Sequence, residues 1–219
     1  MHAYFALVAV ALPLAFAAPL QGADLFRRQD NASATEPTCD LSGLQQPANT
    51  LTPPTTGLEL EIIARGKGTQ NYTCADAAAK PVAIGAVASL FNASCTVANG
   101  GLGDVQEDAV GKHFFADNTT PEFDIIGIAN TQFKKTENMT APTGAQDVPW
   151  LKLDAVGSSS PVKLVYRLNT EGGVAPATCS GQAANSVVTV PYEAEYWVYV
   201  DPAQLAARKM KRSLAERQV

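Results

Sequence analysis

Beyond an N-terminal apolar run, this 219-residue chain has a single histidine, His113. It has no Cys-x-x-Cys, no Gly-x-Ser-x-Gly and no complete Gly-x-Gly-x-x-Gly. The first absence argues against thiol redox chemistry and a zinc site, so no metal is expected. The second removes the strand-to-helix turn that presents a hydrolase serine. The third removes the loop that cradles a dinucleotide pyrophosphate. Gly101-Leu102-Gly103 starts that pattern, but Gln106 stands where its third glycine belongs, and no apolar strand precedes it. No cofactor is therefore expected. No later segment approaches the roughly 20 apolar residues of a membrane-spanning helix. Nothing alternates a strand with a long helix, which argues against a doubly wound fold. Basic residues are scarce in the body of the chain. Residues 29–203 hold 9 Lys/Arg against 19 Asp/Glu, an excess of negative charge that makes nucleic acid a poor partner.

What is present marks a secreted protein. Tyr4 to Ala18 is an uncharged apolar run, too short to span a bilayer comfortably. With the small residues of Ala15-Phe16-Ala17 it reads as a signal peptide, 1–17, cut after Ala17. Residues 18–28 then form a pro-segment ending in the dibasic Arg27-Arg28, where a Golgi endoprotease would cut after Arg28. Lys211-Arg212 offers the same enzyme a second site after Arg212. Five of the ten asparagines open Asn-x-Ser/Thr acceptors: Asn31, Asn71, Asn92, Asn118 and Asn138. Acceptors need exposed backbone, so these positions are expected on surface loops or strand edges, on faces not used for binding. Four cysteines, Cys39, Cys74, Cys95 and Cys179, allow three pairings, and an oxidising compartment favours two disulfides over free thiols. The expected location is extracellular or in the cell wall.

Residues 29–57, rich in Thr, Pro, Asn and Gln, read as an extended lead-in pinned only at Cys39. A β domain follows over 58–202. Leu58, Leu60 and Ile62 alternate with Glu59 and Glu61, the period of a half-buried strand. Gly66-Lys67-Gly68 reads as a turn, with Thr69 to Cys74 returning as the second arm of a hairpin. Residues 75–80 suit a helical turn, and Pro81 to Phe91 fits either a strand or irregular core. Short strands are expected at 112–116 and 122–128, an exposed loop at 135–147, and strands at 150–153, 162–168 and 187–190. Glu171-Gly172-Gly173 reads as a turn. From Tyr196 to Val200 the chain is almost wholly apolar or aromatic, so both faces should be covered. Residues 203–219 form a basic tail of helical composition. The whole predicts one all-β domain of 7–9 strands, sandwich- or barrel-like and disulfide-stapled, with a short C-terminal helix.

Few residues invite chemistry. His113, with Asp117, Glu122 and Asp124 downstream, is a candidate general base, and Asp124 its candidate orienting carboxylate. Arg167, on an apolar strand beside Asn169, either pairs with a glutamate such as Glu193 or Glu195, or binds an anionic ligand bidentately. Trp150, Tyr192, Tyr196, Trp197 and Tyr199 offer an aromatic platform for sugars, or else core. Two functions follow. One is a non-catalytic extracellular protein that binds wall polysaccharide, a small ligand or a host surface. The other is a secreted hydrolase using His113 with an acidic partner. The oligomeric state is not legible.

Four segments together carry a family resemblance: Gly111-Lys112-His113-Phe114, Pro149-Trp150-Leu151-Lys152-Leu153, Tyr166 to Pro176 (which includes Thr170-Glu171-Gly172-Gly173) and Val190 to Tyr196. Over about residues 44 to 201 the chain resembles an uncharacterised family of secreted fungal and bacterial proteins, catalogued as a domain of unknown function. Fungal members often carry the label malate dehydrogenase. The incomplete glycine pattern and the small size argue against that activity here, and the resemblance brings no catalytic residue or ligand with it. It does imply a pairing of Cys74 with Cys179, leaving Cys39 with Cys95. The stretch after His113 departs from the bacterial members by inserting the Asn118 acceptor, and a glycan there would crowd any site near this histidine.

Overall fold

The computed structural model describes residues 39–101 and 105–217. The leader, the pro-segment with Arg28, and Asn31 lie outside the described residues. Eight antiparallel strands run in chain order around a closed barrel. They are β1 (Glu59–Cys74), β2 (Val82–Asn92), β3 (Ala109–Phe115), β4 (Pro121–Ile125), β5 (Ala129–Met139), β6 (Trp150–Ala155), β7 (Val162–Gly172) and β8 (Ser186–Val200). Among the described residues there are also two helices, α1 (Ser94–Ala98) and α2 (Pro202–Glu216). Closure comes from pairing β1 with β8 along their whole length, from Glu59 opposite Val200 to Cys74 opposite Ser186. No helix among the described residues is long and apolar enough to cross a membrane.

Strand alternation sorts side chains between two cores. Ile62, Ala64, Leu90, Phe123, Phe133, Val165, Tyr196 and Val198 fill the lumen. Ile63, Trp150, Leu164, Tyr166, Leu168, Trp197 and Tyr199 form a second buried cluster on the outside of the wall. The lead-in covers this outer face. Leu51 is buried in it, with Leu44 and Leu58 packed alongside. Thr52 adds two polar ties: its carbonyl accepts from the Tyr166 hydroxyl, and its N–H donates to Glu137 Oε2 at 2.8 Å. The lead-in is thus a packed strap and not a tether held only at Cys39. Both faces of Tyr196 to Val200 are covered for this reason, one by the lumen and one by the strap.

Two disulfides, Cys39–Cys95 and Cys74–Cys179, tie the strap to α1 and the end of β1 to the β7–β8 loop, the pairing the family resemblance implies. At the end of the barrel where β8 finishes, Asp201 caps α2 by accepting from the N–H groups of Ala203 and Gln204, with Pro202 in the first turn. Leu205 then enters the lumen core.

Three segments differ from the sequence reading, one of them Glu171-Gly172-Gly173, which is not a turn but the end of β7 with Gly173 bridged to Asp147. Gly66-Lys67-Gly68 is not a turn, because β1 runs straight through it. Both glycines face inward, and a Cβ on Gly66 would collide with the Tyr196 ring while one on Gly68 would collide with the Val87 carbonyl. They are there to admit close neighbours. Residues 135–139 are not loop but the end of β5, whose polar outward positions hide the inward series Ala129, Thr131 and Phe133. Pro81 to Phe91, left open by the sequence, is largely β2.

Candidate ligand site

The connections β1–β2, β3–β4, β5–β6 and β7–β8 gather at one end of the barrel, and the lumen is open there as a cavity of about 330 Å³. Leu151, Leu153, Phe115, Pro121 and Val148 make the apolar part of its wall. The polar part is Gln70, Tyr72, His113, Lys135, Asn138, Arg167 and Tyr196, with Asn118 and Thr119 at the β3–β4 connection. Two cations line the cavity, and no carboxylate does so among the described residues. In a chain of net charge −5 this is a local inversion of sign.

Arg167 reaches the lumen because β7 alternates Val165 and Arg167 inward against Leu164, Tyr166 and Leu168 outward. It is 8% exposed. Its Nε and Nη2 both donate to the Pro149 carbonyl, at 3.2 and 2.8 Å. It has no ion pair among the described residues. The glutamates expected to pair with it lie on the outer surface. Glu193 bonds Arg65, and Glu195 accepts from Asn169 and from the Trp197 indole. Asn169, on the rim with a φ of 45°, therefore serves the outer face and not the cavity.

The Thr170-Glu171-Gly172-Gly173 segment builds the rim beside Arg167. A bulge falls between Leu168 and Glu171 where β7 meets β8. Thr170 Oγ1 donates to the Val148 carbonyl, and the Gly172 N–H donates to Asp147. A Cβ added to Gly173, which has a φ of 84°, would stand 2.8 Å from Tyr192 Cβ and 2.9 Å from Gln70 Cγ, so a side chain there would displace both. Its carbonyl accepts from the Tyr72 hydroxyl at 2.6 Å. Gln70 is thereby fixed in the wall, with its amide nitrogen buried and without a partner among the described residues. An unsatisfied buried donor of this kind costs about 1–3 kcal/mol unless something in the cavity accepts from it.

His113 is 3% exposed and stacks on the Phe123 ring at 4.2 Å. Its Nδ1 lies 3.0 Å from the Glu122 carbonyl, which assigns the proton to Nδ1 and leaves Nε2 a lone pair. Burial lowers its pKa to about 4; the Glu122 carbonyl opposes this and the nearby Arg167 charge adds to it. The imidazole is neutral at physiological pH. Asp124 does not join it. His113 pairs across the ladder with Phe123, so Asp124 is on the opposite, outer face of β4 and is exposed. The histidine and carboxylate that the sequence suggested as a catalytic pair are separated by the wall. Tyr192 is in the lumen with its hydroxyl 2.8 Å from that of Tyr196, and burial raises both phenols above their ordinary pKa. Trp150 is buried under the strap. The five aromatics are core on two sides of the wall, not one platform.

Among the described residues, no group of three or more His, Cys, Asp or Glu is placed to hold a metal ion. A second groove of about 560 Å³ lies between the β4–β5 turn and α2, edged by Asp124, Arg208, Lys209, Lys211 and Arg212. Its helix charges are exposed, and two are already paired, Lys209 with Glu61 and Arg212 with Glu216. The sequence missed Gln70, Tyr72 and Lys135, three of the polar groups in the cavity. Only an inward register makes them meet, and β1 was split by a false turn while the end of β5 was read as loop. Neither a curated protein nor a solved structure matches this chain. The family model described as protein of unknown function (DUF3455) matches residues 54–200, and the chain belongs to that family.

Proposed function

We propose that the protein is a secreted, non-catalytic binding protein whose barrel mouth takes a small ligand with an anionic head and an apolar body. The observation that carries this reading is Arg167: a buried guanidinium in an open cavity, with no carboxylate facing it among the described residues. A buried cation normally has a counter-charge, and here the cavity leaves room for one to arrive. The Gln70 amide supplies a second donor, Lys135 a second positive charge, and the leucine-lined wall an apolar surface for the rest of the ligand. The volume is at the small end of those that enclose small ligands. A neutral His113, bonded to a backbone carbonyl and lacking an acidic partner, suits an acceptor in the wall better than a general base. The signal peptide, acceptor asparagines and disulfides support an extracellular setting.

The test is a thermal-shift comparison of the glycosylated chain with decanoate, decanol and soluble wall oligosaccharides. Decanoate should raise the melting temperature, and the uncharged alcohol of equal length should not. Arg167→Met should weaken decanoate binding by at least about 30-fold, the loss expected when a charge-assisted hydrogen-bond pair is removed. A shift with oligosaccharides alone, or undiminished decanoate binding in the variant, would overturn the proposal.

A further inference from the structure

Two of the acceptor asparagines stand in the wall of the cavity itself. Asn138 lies opposite Leu151, and Lys135 opposite Leu153, in the β5–β6 ladder. Both leucines line the cavity, and a bulge between Lys135 and Glu137 restores the inward phase after Lys135. Asn138 therefore projects over the open lumen, and it is exposed. Asn118 sits at the tip of the β3–β4 connection and is exposed too. The Asp117 carboxylate holds that tip. It accepts from the backbone N–H and hydroxyl of both Thr119 and Thr120, bonds that lower its pKa to about 2. Each asparagine opens an Asn-x-Thr acceptor, Asn118-Thr119-Thr120 and Asn138-Met139-Thr140. Asn71 is placed otherwise. It points outward from β1, and its Oδ1 accepts from the Thr69 hydroxyl. The Asn118 and Asn138 acceptors border the cavity read above as the ligand site, whereas the sequence reading expected acceptors on faces unused for binding.

We propose that N-glycans on Asn118 and Asn138 form a covalent lid over the barrel mouth, which controls how fast a ligand enters and leaves. The functional part of this statement rests on the binding reading above. A glycan is bulky and hydrated, so it occupies the space over the mouth without filling the apolar lumen below. A gate that touches bound and free forms alike slows association and dissociation together and leaves affinity nearly unchanged.

Two measurements separate the lid from the binding reading. The first needs no ligand. Lys134 and Lys135 are adjacent on β5, one facing outward and one lining the cavity, so each serves as the other's control. The glycosylated chain and an Asn118→Gln/Asn138→Gln variant are treated with N-hydroxysulfosuccinimide acetate, and acetylation is followed by mass spectrometry. Loss of both glycans should speed Lys135 acetylation by roughly tenfold and leave Lys134 unchanged, while Asn71→Gln alters neither. Glycopeptide mapping of the same samples should show Asn118 and Asn138 occupied. An unoccupied Asn138, or a Lys135 rate indifferent to the double substitution, overturns the lid. The second measurement is stopped-flow binding of the anionic fluorophore 8-anilinonaphthalene-1-sulfonate. Both rate constants should rise by about tenfold in the double variant, with the dissociation constant within about twofold. Binding with rates equal in the two proteins again overturns the lid. A shielded Lys135 in a protein that binds no anion leaves the lid standing and overturns the binding reading instead.

Discussion

Lowering the pH from 7 to 4.5 should weaken the fold through His113, by an amount that follows from its burial. In the unfolded chain its pKa is near the ordinary 6.5, and in the barrel it falls to about 4. The unfolded state therefore binds more protons between these values. The stabilisation from keeping the imidazole neutral is fully present above pH 6.5 and is lost as the pH falls toward 4. At 1.36 kcal/mol per unit, the loss between pH 7 and 4.5 is about 2–3 kcal/mol. The groups around the ring give no relief. They are the Arg167 charge, the Glu122 carbonyl and the rings of Phe115, Phe123 and Tyr196, and among the described residues no carboxylate comes into contact with it. His113 is also the only histidine among the described residues, so no other imidazole contributes there. Carboxylates titrate mostly below the window, and comparison with a variant cancels them. Urea unfolding of the wild type and of His113→Asn, which keeps a donor for Glu122, would be run at half-unit pH steps. The difference between the two proteins should open below pH 6.5 and reach about 2–3 kcal/mol at pH 4.5. Parallel pH profiles would refute the burial argument and return His113 to the titrating residues.

Three further outcomes follow from the packing. Leu51→Ala should destabilise by about 2–4 kcal/mol and change tryptophan fluorescence, since Leu51 packs in the outer cluster that contains Trp150 and Trp197. Cys74→Ser/Cys179→Ser opens a bridge of sequence separation 105 and should lower unfolding free energy by about 4–5 kcal/mol in chemical denaturation; the same change at Cys39 and Cys95, separation 56, should lower it by about 4 kcal/mol. Gly173→Ala should cost more than about 2 kcal/mol and also weaken decanoate binding, because the new methyl displaces Gln70 as well as straining a positive φ.

The sequence carried the strand chemistry well and the site poorly, for physical reasons visible in single residues. Tyr196 to Val200 announced a strand covered on both faces, because no polar side chain interrupts it. The helical composition of residues 203–219 announced α2, which begins at Pro202. Gly66 and Gly68 misled because a glycine that makes room for a tyrosine looks the same in sequence as one that makes a turn. The end of β5 was hidden by its outward Lys134 and Thr136. Arg167 was noticed as an arginine in an apolar strand, yet its lack of a carboxylate partner among the described residues depended on where Glu193 and Glu195 point, a matter of register across three strands. Asp124 and His113 looked close along the chain, and one residue of alternation put the wall between them.

Closure of the barrel by its first and last strands also sets an order of events during synthesis. β1 cannot complete its pairing until residues 186–200 have been made, so the ladder that seals the wall forms between segments more than 100 residues apart. Chains dominated by such distant pairings fold slowly. In the secretory setting proposed above, Asn71 and Asn118 would enter the secretory lumen on a chain whose wall is still open, with ample time for the transferase to reach them before the mouth takes shape. A variant that weakens β8, for example at Trp197, should therefore reveal itself first as poor export and retention with chaperones, ahead of any change in the finished molecule.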